Sequence, residues 1–528
     1  MSTLGLLTVT SIGGGYLALR SSPEHVGYVL AAVLAVWTAY AVYQLVIYPF
    51  YTSPFRNLPE PAEGRYNFPW AHGKFIKSEH NGAPLRRWLL SVPNNGLIRL
   101  RVLFNQERIL VTSSDAMKEI LVTKPYDFQK PGQVSYLFRK LLGDGVLVAN
   151  GDAHKAQRKA LLPAFSYRHI KDLYVLFWQK AKQSTGAIAA SARSGKPQST
   201  YEWASRVTLD IIGQSGMGYD FDSLTTPDTE LLRTYRILFE EDIPLLRWTI
   251  IGVKFPVKAA FALPLPEFVA ARRAASAIRA FAHEQVQQKR AKKSYEKDVD
   301  ILSIAMRSGQ FTDDDCVDQM MTFLAAGHET TASAVTWAVY ALCNHPQVQN
   351  KLREEVRASL PSTQSDDVVT AENIDNLHYL KAVCNEVLRL IPSVPMTARD
   401  AVVDTTVQGL AAPKGTRFLL APWGTNVDPT LWGDDALEFN PERWLKEGQA
   451  NVGGAANNWA NLTFLHGSRS CIGKDFAKGE FACILAAWVD RFEMSWENGK
   501  ELPMDVKGWV TVRPYHKLPV VFREVEGW

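Results

Sequence analysis

Cysteine is scarce in this sequence, which has five cysteines among 528 residues. The count is odd and no two of them form a C-x-x-C pair, so neither a disulfide framework nor a zinc site is indicated. Cys343, Cys384 and Cys483 fall within apolar helical patterns. The cysteine usage therefore indicates a reducing compartment.

A strong charge of one sign is also lacking, since the formal net charge is +4. An excess that is so small and so dispersed gives no support to nucleic acid as a partner. With 46% hydrophobic and 21% charged residues, the composition excludes wholesale disorder. The 15 tryptophans and 24 phenylalanines are enough to line an apolar pocket.

The bulk of the chain has no internal repeat, low-complexity run or second linker. Strand-like stretches at residues 97–102 and 108–112 come early, and residues 518–522 return to strand-like composition. Long amphipathic helical patterns such as 270–292 and 376–390 dominate between them. We therefore expect one large domain that is mainly α with small peripheral β-sheets, although the chain exceeds the usual size of a single core.

One long apolar run stands near the N-terminus. Residues 26–48 include no charged side chain over 23 positions, which is long enough to span a bilayer with some tilt. Trp37 and Tyr48 are amphipathic, and Tyr48 falls where an interfacial belt is expected. The run is too long and starts too late for a cleaved signal peptide. We expect a transmembrane anchor here, the alternative being a buried core helix.

The segments on either side of this anchor are less clear. Residues 1–25 hold a shorter apolar stretch interrupted by three glycines, which fits a second span, a re-entrant piece or a tail. Residues 49–64 are rich in proline and predict a stiff linker to a catalytic body at 65–528. Arg56 and Arg65 place this side in the cytoplasm.

Residues 464–473 read FLHGSRSCIG and carry the strongest functional signal. Glycines frame Cys471 on both sides and permit tight turns and close approach to a flat partner. The helical pattern at 474–490 places Cys471 just before a helix N-terminus, where free N–H groups lower the pKa of a thiol. The pattern predicts a thiolate presented to a metal, whereas the alternative is a buried structural cysteine in a turn.

A second motif, residues 326–331 (AGHETT), lies inside a long helical pattern that begins at an N-cap, Thr312. A glycine followed by an acid and two threonines is poor helix sequence, and such conflicts are expected at functional sites. The alternative is a small-residue helix contact in which Thr330 bonds back to a helix carbonyl.

A third motif places Glu386 and Arg389 three residues apart on one helix face. A surface ion pair would contribute little stability, but the helix is largely apolar and favours a buried role. Arg443, in the segment FNPERW at 439–444, is a third partner. We interpret these three residues as structural.

These motifs together resemble the cytochrome P450 monooxygenase family. The loop matches F-x-x-G-x-R-x-C-x-G at Phe464, Gly467, Arg469, Cys471 and the following glycine. The AGHETT segment resembles the family's [A/G]-G-x-[D/E]-T, and the ion pair resembles its E-x-x-R. All occur in the family's order, and the resemblance runs from about residue 54 to 528.

The resemblance implies haem b with Cys471 as axial thiolate ligand to the iron. Gly327 would let the helix backbone bend over the haem face. Thr330 would hydrogen-bond dioxygen or an ordered water, and Glu329 would help relay protons. Glu386, Arg389 and Arg443 would lock the region that carries the cysteine loop.

Haem carboxylates need cations, and four residues are candidates by this resemblance. Arg469 lies inside the loop, while His154 and Arg158 share one helix face at i and i+4. The family commonly has tryptophan where this chain has His154, although an imidazole can also bond a propionate. Arg399 is the fourth, because guanidinium groups pair well with carboxylates.

The resemblance also implies partners. No flavin or nicotinamide domain is visible, so electrons would come from NADPH through a separate cytochrome P450 reductase at the endoplasmic reticulum membrane. Lys474 and Lys478 would face this reductase. Residues 254–266 are apolar with flanking lysines and would dip into the membrane surface, or else form an ordinary core connection.

The expected substrate is a lipophilic small molecule. Its contacts are expected at residues 130–148, 255–268 and 323, and again at 393–397 and 509–512. The sequence in general character resembles fungal members of the cytochrome P450 family that modify secondary metabolites. The alternatives are a xenobiotic, fatty-acid or sterol hydroxylase, a reductase-independent isomerase or dehydratase, and a non-enzymatic haem sensor or membrane scaffold. The intact Glu329–Thr330 pair argues against the isomerase or dehydratase.

Overall fold

The structure is a computed structural model that describes residues 23–239, 257–508 and 510–526. The predicted tail up to residue 22, residues 254–256 and Trp509 lie outside these described residues. Within them the fold is mainly helical with small sheets, as the sequence predicts.

The described α-helices are numbered α1 to α19 in chain order. They are Pro23–Val42, Gly73–Ser78, Ala83–Ser91, Ser114–Lys118, Gly132–Leu142, Gly151–Leu161, Tyr167–Ala192, Thr200–Met217, Glu230–Phe239, Val257–Ala262, Pro266–Lys292, Ile301–Arg307, Asp313–Asn344, Pro346–Ser359, Ala371–Asp375, His378–Leu390, Pro422–Thr425, Pro429–Trp432 and Lys474–Arg491.

The described strands are short and are numbered β1 to β12. They are Leu97–Arg101, Glu107–Val111, Phe128–Gln129, Gln198–Ser199, Thr397–Ala401, Thr405–Val407, Leu410–Ala412, Arg417–Leu420, Phe492–Ser495, Val506–Lys507, Arg513–Pro514 and Pro519–Glu524.

The strands form one five-stranded sheet and three smaller groups. The larger sheet has the order β1-β2-β8-β5-β3, in which only the β2–β8 pair is parallel. The three-stranded sheet has the order β4-β12-β9, and β6–β7 and β10–β11 form separate pairs. The β10–β11 pair is antiparallel and aligns Lys507 with Arg513.

The 32-residue helix α13 runs through the middle of the body and is buried along most of its length. It begins at a capping box in which Thr312 Oγ1 accepts from Asp315 N–H and the Asp315 carboxylate accepts from Thr312 N–H. Helices α8, α11 and α19 pack around it. The predicted N-cap at Thr312 is confirmed.

The other predicted elements are found within a few residues of their predicted ends. Pattern 270–292 falls within Pro266–Lys292, and 376–390 corresponds to His378–Leu390. Pattern 474–490 becomes Lys474–Arg491, which starts at the predicted residue. Strong apolar periodicity and clear end signals explain this agreement.

The N-terminal helix continues beyond the predicted anchor. After α1, a π-helical segment Tyr43–Thr52 includes Pro49, and the whole apolar span runs over Val26–Thr52. None of this span's most apolar window is buried in the protein, as expected for a helix that contacts lipid.

The end of this span is bound to the catalytic body. Arg99 of β1 donates to the Pro49 carbonyl, and Asn105 donates to the Leu45 carbonyl at 2.8 Å. Just beyond the span, Phe55 is buried against the five-stranded sheet. The first part of predicted linker 49–64 is therefore helical, and the next part is packed on the body.

Candidate active site

A cavity of about 540 Å³ lies beside helix α13 and the loop that carries Cys471. Its walls are mostly apolar and come from segments far apart in sequence. The apolar side chains that line it include Val134, Phe138, Leu141, Leu142, Val146, Ile212, Leu238, Phe323, Val394, Met396, Phe464 and Phe476.

Most of the predicted substrate segments reach this cavity. Residues from 130–148, Phe323 and residues from 393–397 line it, and so do Val510 and Thr511. Val257 and residues 261–268 do not line it, so the prediction is wrong for these residues of segment 255–268. This segment instead exposes apolar side chains, including Leu263 and Leu265, on the protein surface.

The Cys471 loop owes its shape to backbone contacts. A single 3-10 turn, Gly467–Arg469, precedes the cysteine, and Cys471 N–H donates to the Phe464 carbonyl at 2.8 Å. Gly467 has φ +72°, and a Cβ there would overlap the Leu121 carbonyl oxygen. Glycine is therefore required at this position for both conformation and space.

The Cys471 thiol opens into the cavity and is exposed there, although protein atoms nearby desolvate it. Desolvation raises the pKa of the thiol, whereas the Gly473 N–H and Arg158 oppose this rise. The sequence prediction of a lowered pKa is wrong for the protein alone, because desolvation outweighs the helix N-terminus. A bound cation would reverse the balance.

All four predicted cations line the same cavity. His154 and Arg158 project from α6, Arg399 comes from β5, and Arg469 ends the 3-10 turn. Arg158 donates to the Ser470 carbonyl at 2.7 Å, and Arg469 donates to the Ala149 carbonyl at 2.8 Å. Both bonds tie the Cys471 loop to α6 or its N-terminal flank.

Lys130 is a fifth cation that the sequence reasoning assigned only to the substrate segment. It follows β3, lines the cavity and donates to the Leu147 carbonyl. Desolvation, reinforced by Arg399 and Arg469, lowers the pKa of Lys130 to about 7. No local pattern distinguishes it from a surface lysine, so only the fold reveals it.

None of these five basic residues forms an ion pair with a carboxylate within the described ranges. Desolvation, reinforced by nearby positive charges, lowers the pKa of Arg399 to about 10 and that of His154 to about 3. The His154 imidazole is therefore neutral, and the lysine and the arginines carry the positive charge. The His154 Nδ1 atom is buried and has no hydrogen-bond partner. Such a cluster is costly unless a ligand brings negative charge.

The donor set fits haem. Its two carboxylates would be held by the five basic residues Lys130, His154, Arg158, Arg399 and Arg469. The Cys471 thiolate would hold the iron. Apolar walls suit the flat, largely apolar ring. Phe464 and the turn at Gly467 belong to the same loop as Cys471, and Phe464 lines the cavity.

Helix α13 supplies polar groups to this apolar cavity. Thr330 and Glu329 both line it, and the Thr330 hydroxyl donates to the Ala326 carbonyl at 2.8 Å. This is the back-bonded arrangement that the sequence left open as an alternative. The bond occupies the hydroxyl proton and leaves the oxygen able to accept from a water.

Helix α13 continues from Asp313 to Asn344 without a break at Gly327. A Cβ at Gly327 would lie 2.8 Å from Ile212 of α8. The glycine therefore allows α8 to pack closely, and the bend of the helix over the haem face stays a prediction.

Glu329 has a partner that the sequence did not reveal. Arg513 of β11 donates to Glu329 Oε1 at 3.1 Å and to the Tyr201 hydroxyl at 2.7 Å. The β10–β11 hairpin also reaches α13 through Ser393, whose hydroxyl donates to the Thr330 carbonyl at 2.7 Å while its carbonyl accepts from Val512 N–H. Arg513 is 184 residues from Glu329, so no local pattern could pair them.

The predicted structural lock is present and fully buried. Arg389 forms a bidentate pair with Glu386, with both distances 2.8 Å. Arg443 and Trp444 donate to the same carboxylate at 3.2 and 2.9 Å. Every lone-pair direction of Glu386 thus has a donor, since Asn440 N–H adds another at 2.9 Å.

The lock continues to the cysteine loop. Arg389 donates to the Asn426 carbonyl at 2.9 Å. The Asn426 side chain accepts from Leu462 N–H at 2.7 Å and donates to Thr463 Oγ1 at 2.9 Å. Leu462 and Thr463 directly precede Phe464, so the buried ion pair sets the position from which the loop starts.

Of the two predicted docking lysines, only Lys474 is exposed. Lys478 donates to Asn385 Oδ1 at 2.8 Å, and desolvation lowers the pKa of its amine to about 8. Lys478 therefore does not fit the predicted docking role.

The chain is similar to known proteins over most of its length. The family model described as Cytochrome P450 matches residues 98–520. The chain is 44% identical to Cytochrome P450 monooxygenase sphH of Aspergillus fumigatus, covering 92% of this chain and 91% of that protein. It is 39% identical to Cytochrome P450 monooxygenase FUM15 of Gibberella moniliformis, with 87% and 86% covered. It is 37% identical to Cytochrome P450 monooxygenase FSL4 of Gibberella zeae, with 100% of both chains covered.

Replacing Arg389 by Met should destabilise the protein strongly, because Glu386 would stay buried without its bidentate partner. We expect the free energy of unfolding to fall by about 3–5 kcal/mol. Urea unfolding of the detergent-solubilised protein, followed by tryptophan fluorescence, measures this change.

Lys351→Met is the matched control. Lys351 pairs with Glu442 at 2.6 Å, but both side chains are about half exposed. An exposed pair of this kind contributes less than about 1 kcal/mol. Equal losses in the two variants would contradict the proposed lock.

Proposed function

The chain belongs to the cytochrome P450 family and is a monooxygenase, and from this premise we propose that it oxidises a lipophilic secondary metabolite at a fungal endoplasmic reticulum membrane. The observation that carries the proposal is the apolar cavity into which Cys471, the unpaired cations and Thr330 all open. Long matches to fungal monooxygenases support the biological setting.

Haem bound through a thiolate supplies oxygen activation, in which one atom of O₂ enters the substrate and the other leaves as water at the expense of an external reductant. The chain's own residues would provide binding, orientation and protons. The largely apolar lining would favour a lipophilic substrate and keep bulk water away from the reacting position.

Thr330 and Glu329 would handle the protons. The Thr330 oxygen can accept from a water while its proton is donated to the Ala326 carbonyl, and rotation of the hydroxyl would direct that proton to the water instead. Arg513 compensates the charge of Glu329 at 3.1 Å and so orients the carboxylate beside Thr330. This arrangement supports the monooxygenase reading over the isomerase or dehydratase, which need no proton delivery to O₂.

Electrons would come from NADPH through a separate reductase that docks on the Cys471 side. Lys474 is exposed three residues after Cys471, and Lys155 and Lys159 are exposed on α6. Helix α6 abuts the same loop through Arg158 and Ser470. These lysines offer a basic face to acidic patches of a reductase.

The membrane would hold the protein through the helical span Val26–Thr52. The exposed side chains of Leu263 and Leu265 would add a second contact with the lipid surface. This supports the prediction that the segment around residues 254–266 dips into the membrane.

Deleting the gene in its fungal host should remove one oxygenated metabolite and accumulate its less oxidised precursor. Metabolite profiling measures this, and the precursor should then support NADPH-dependent oxygenation by the protein with a reductase. Complementation with Cys471→Ser is the control and should restore nothing. An unchanged metabolite profile would contradict the tailoring role.

Thr330→Ala should uncouple reductant use from product formation, because the hydroxyl that passes protons is lost. We expect product per NADPH to fall about tenfold or more while NADPH consumption continues. Thr336→Ala is the matched control, since Thr336 makes the same bond to a helix carbonyl at 2.6 Å but does not line the cavity. Equal coupling in the two variants would remove the proposed role of Thr330.

Lys474→Glu should slow electron transfer from the reductase, because it reverses a charge on the proposed docking face. We expect the rate of reduction at low salt to fall about tenfold, with the difference shrinking as salt rises. Stopped-flow spectroscopy of the haem measures it. Lys297→Glu, an exposed lysine after α11, is the control and should leave the rate unchanged. A similar loss in both variants would contradict this docking face.

A further inference from the structure

His328 is the one residue of the segment 327–330 that turns away from the cavity. Its neighbours Gly327 and Glu329 line the cavity, whereas His328 is completely buried among helices α8, α9 and α13. The motif was assigned to oxygen activation, and nothing in that assignment uses this imidazole.

Both nitrogens of His328 are hydrogen-bonded, each to a different helix. Nε2 lies 2.8 Å from Ser205 Oγ of α8, and Nδ1 lies 2.8 Å from the Tyr235 hydroxyl of α9. Tyr235 also donates to the Leu324 carbonyl of α13 at 3.1 Å, and its ring meets the imidazole edge-on at 5.2 Å. Because Tyr235 donates its one proton to the Leu324 carbonyl, its oxygen accepts from Nδ1–H of His328, and the Ser205 hydroxyl donates to Nε2.

The ring is held in its neutral form. Desolvation, reinforced by the charge of Arg513, lowers the pKa of His328 to about 3. A neutral imidazole has one donor and one acceptor, which matches its two hydroxyl neighbours. The bonds therefore persist over the ordinary range of pH.

The two helices that His328 joins to α13 both form part of the cavity wall. Ile212 of α8 contacts Gly327 and lines the cavity. Leu238 of α9 also lines it and follows Tyr235 by three residues, so it lies about one turn along the same helix. Movement of α9 would therefore move Leu238 relative to the cavity.

Outward movement of α9 would break buried hydrogen bonds that water could not replace at once. An unsatisfied buried polar group carries a larger penalty than a normal hydrogen bond contributes. The imidazole thus favours the conformation in which Leu238 stays in the wall.

We propose that His328 is a positioning residue that pins α9 against α13 and thereby limits the size of the ligand that the cavity accepts. The proposal rests on the cavity being the ligand site of the proposed function. It adds a determinant of specificity that lies outside the cavity itself.

Two variants test this on the detergent-solubilised, haem-loaded protein. His328→Leu removes both bonds, and Tyr235→Phe removes only the bonds of one hydroxyl with almost no change in shape. Tyr219→Phe is the matched control, because the described contacts of Tyr219 are ring contacts with Phe221 and Phe281 near the same helices.

Hydrogen–deuterium exchange should report the release of α9 directly. We expect amide exchange in Glu230–Phe239 to be about tenfold faster in both test variants, with exchange in α7 and α19 unchanged. The double variant should exchange no faster than Tyr235→Phe, since Tyr235→Phe already removes both bonds of that hydroxyl, to His328 and to the Leu324 carbonyl. Exchange at wild-type rates in His328→Leu, or a further tenfold increase from Tyr235→Phe to the double variant, would overturn the proposal.

Azole binding should report the consequence for ligand size. Imidazole is small enough to bind at the iron alone, whereas clotrimazole also needs space between the cavity walls. We expect the ratio of the clotrimazole to the imidazole dissociation constant to fall about fivefold in both test variants and to stay constant in Tyr219→Phe. An unchanged ratio would overturn the size limit. Failure of the wild-type protein to shift its spectrum with imidazole would instead contradict the haem site of the proposed function.

Discussion

Desolvated positive charge that meets no carboxylate among the described residues is the constraint on which this active site depends. Lys130, Arg158, Arg399 and Arg469 converge on one cavity with the neutral His154, and desolvation lowers the pKa of each. A protein that folded for stability alone would have supplied carboxylates there. The acidic groups of haem would meet this deficit, so cofactor binding and local stability would be linked. A bound metal would likewise offset the desolvation that raises the pKa of the Cys471 thiol.

The lock around Glu386 shows the opposite solution to the same problem. There the buried carboxylate is surrounded by donors from two parts of the chain, Arg389 and the segment 440–444, so nothing is left for a ligand. One buried cluster is fully paired and rigid, whereas the other is unpaired and receptive. The chain through Asn426 to Leu462 connects the two, which explains how a rigid element positions a loop that must wait for its cofactor.

Local patterns predicted the elements and the loop well. Thr312 caps α13, Lys474 begins α19, and the ten residues 464–473 pointed to the cysteine that opens into the cavity. Interactions between distant segments were beyond such patterns: Arg513 beside Glu329, Lys130 among the cations, and the bonds of His328 to α8 and α9. Two predictions were wrong, a lowered pKa for the Cys471 thiol and an exposed docking role for Lys478. A sequence pattern shows the helix terminus and the charge, whereas the desolvation of each group depends on the packed structure.

The bonds from Arg99 and Asn105 to the end of the membrane helix have a consequence for how the enzyme meets its substrate. A hinge at this point would let the catalytic body tumble above the bilayer. With the helix in a bilayer, a bonded joint would instead transmit the tilt of the helix to the body and give the cavity one fixed orientation relative to the lipid surface. Lipophilic molecules dissolved in the bilayer would then reach the cavity from a constant depth, so the composition of the membrane at that depth would become part of the enzyme's selectivity.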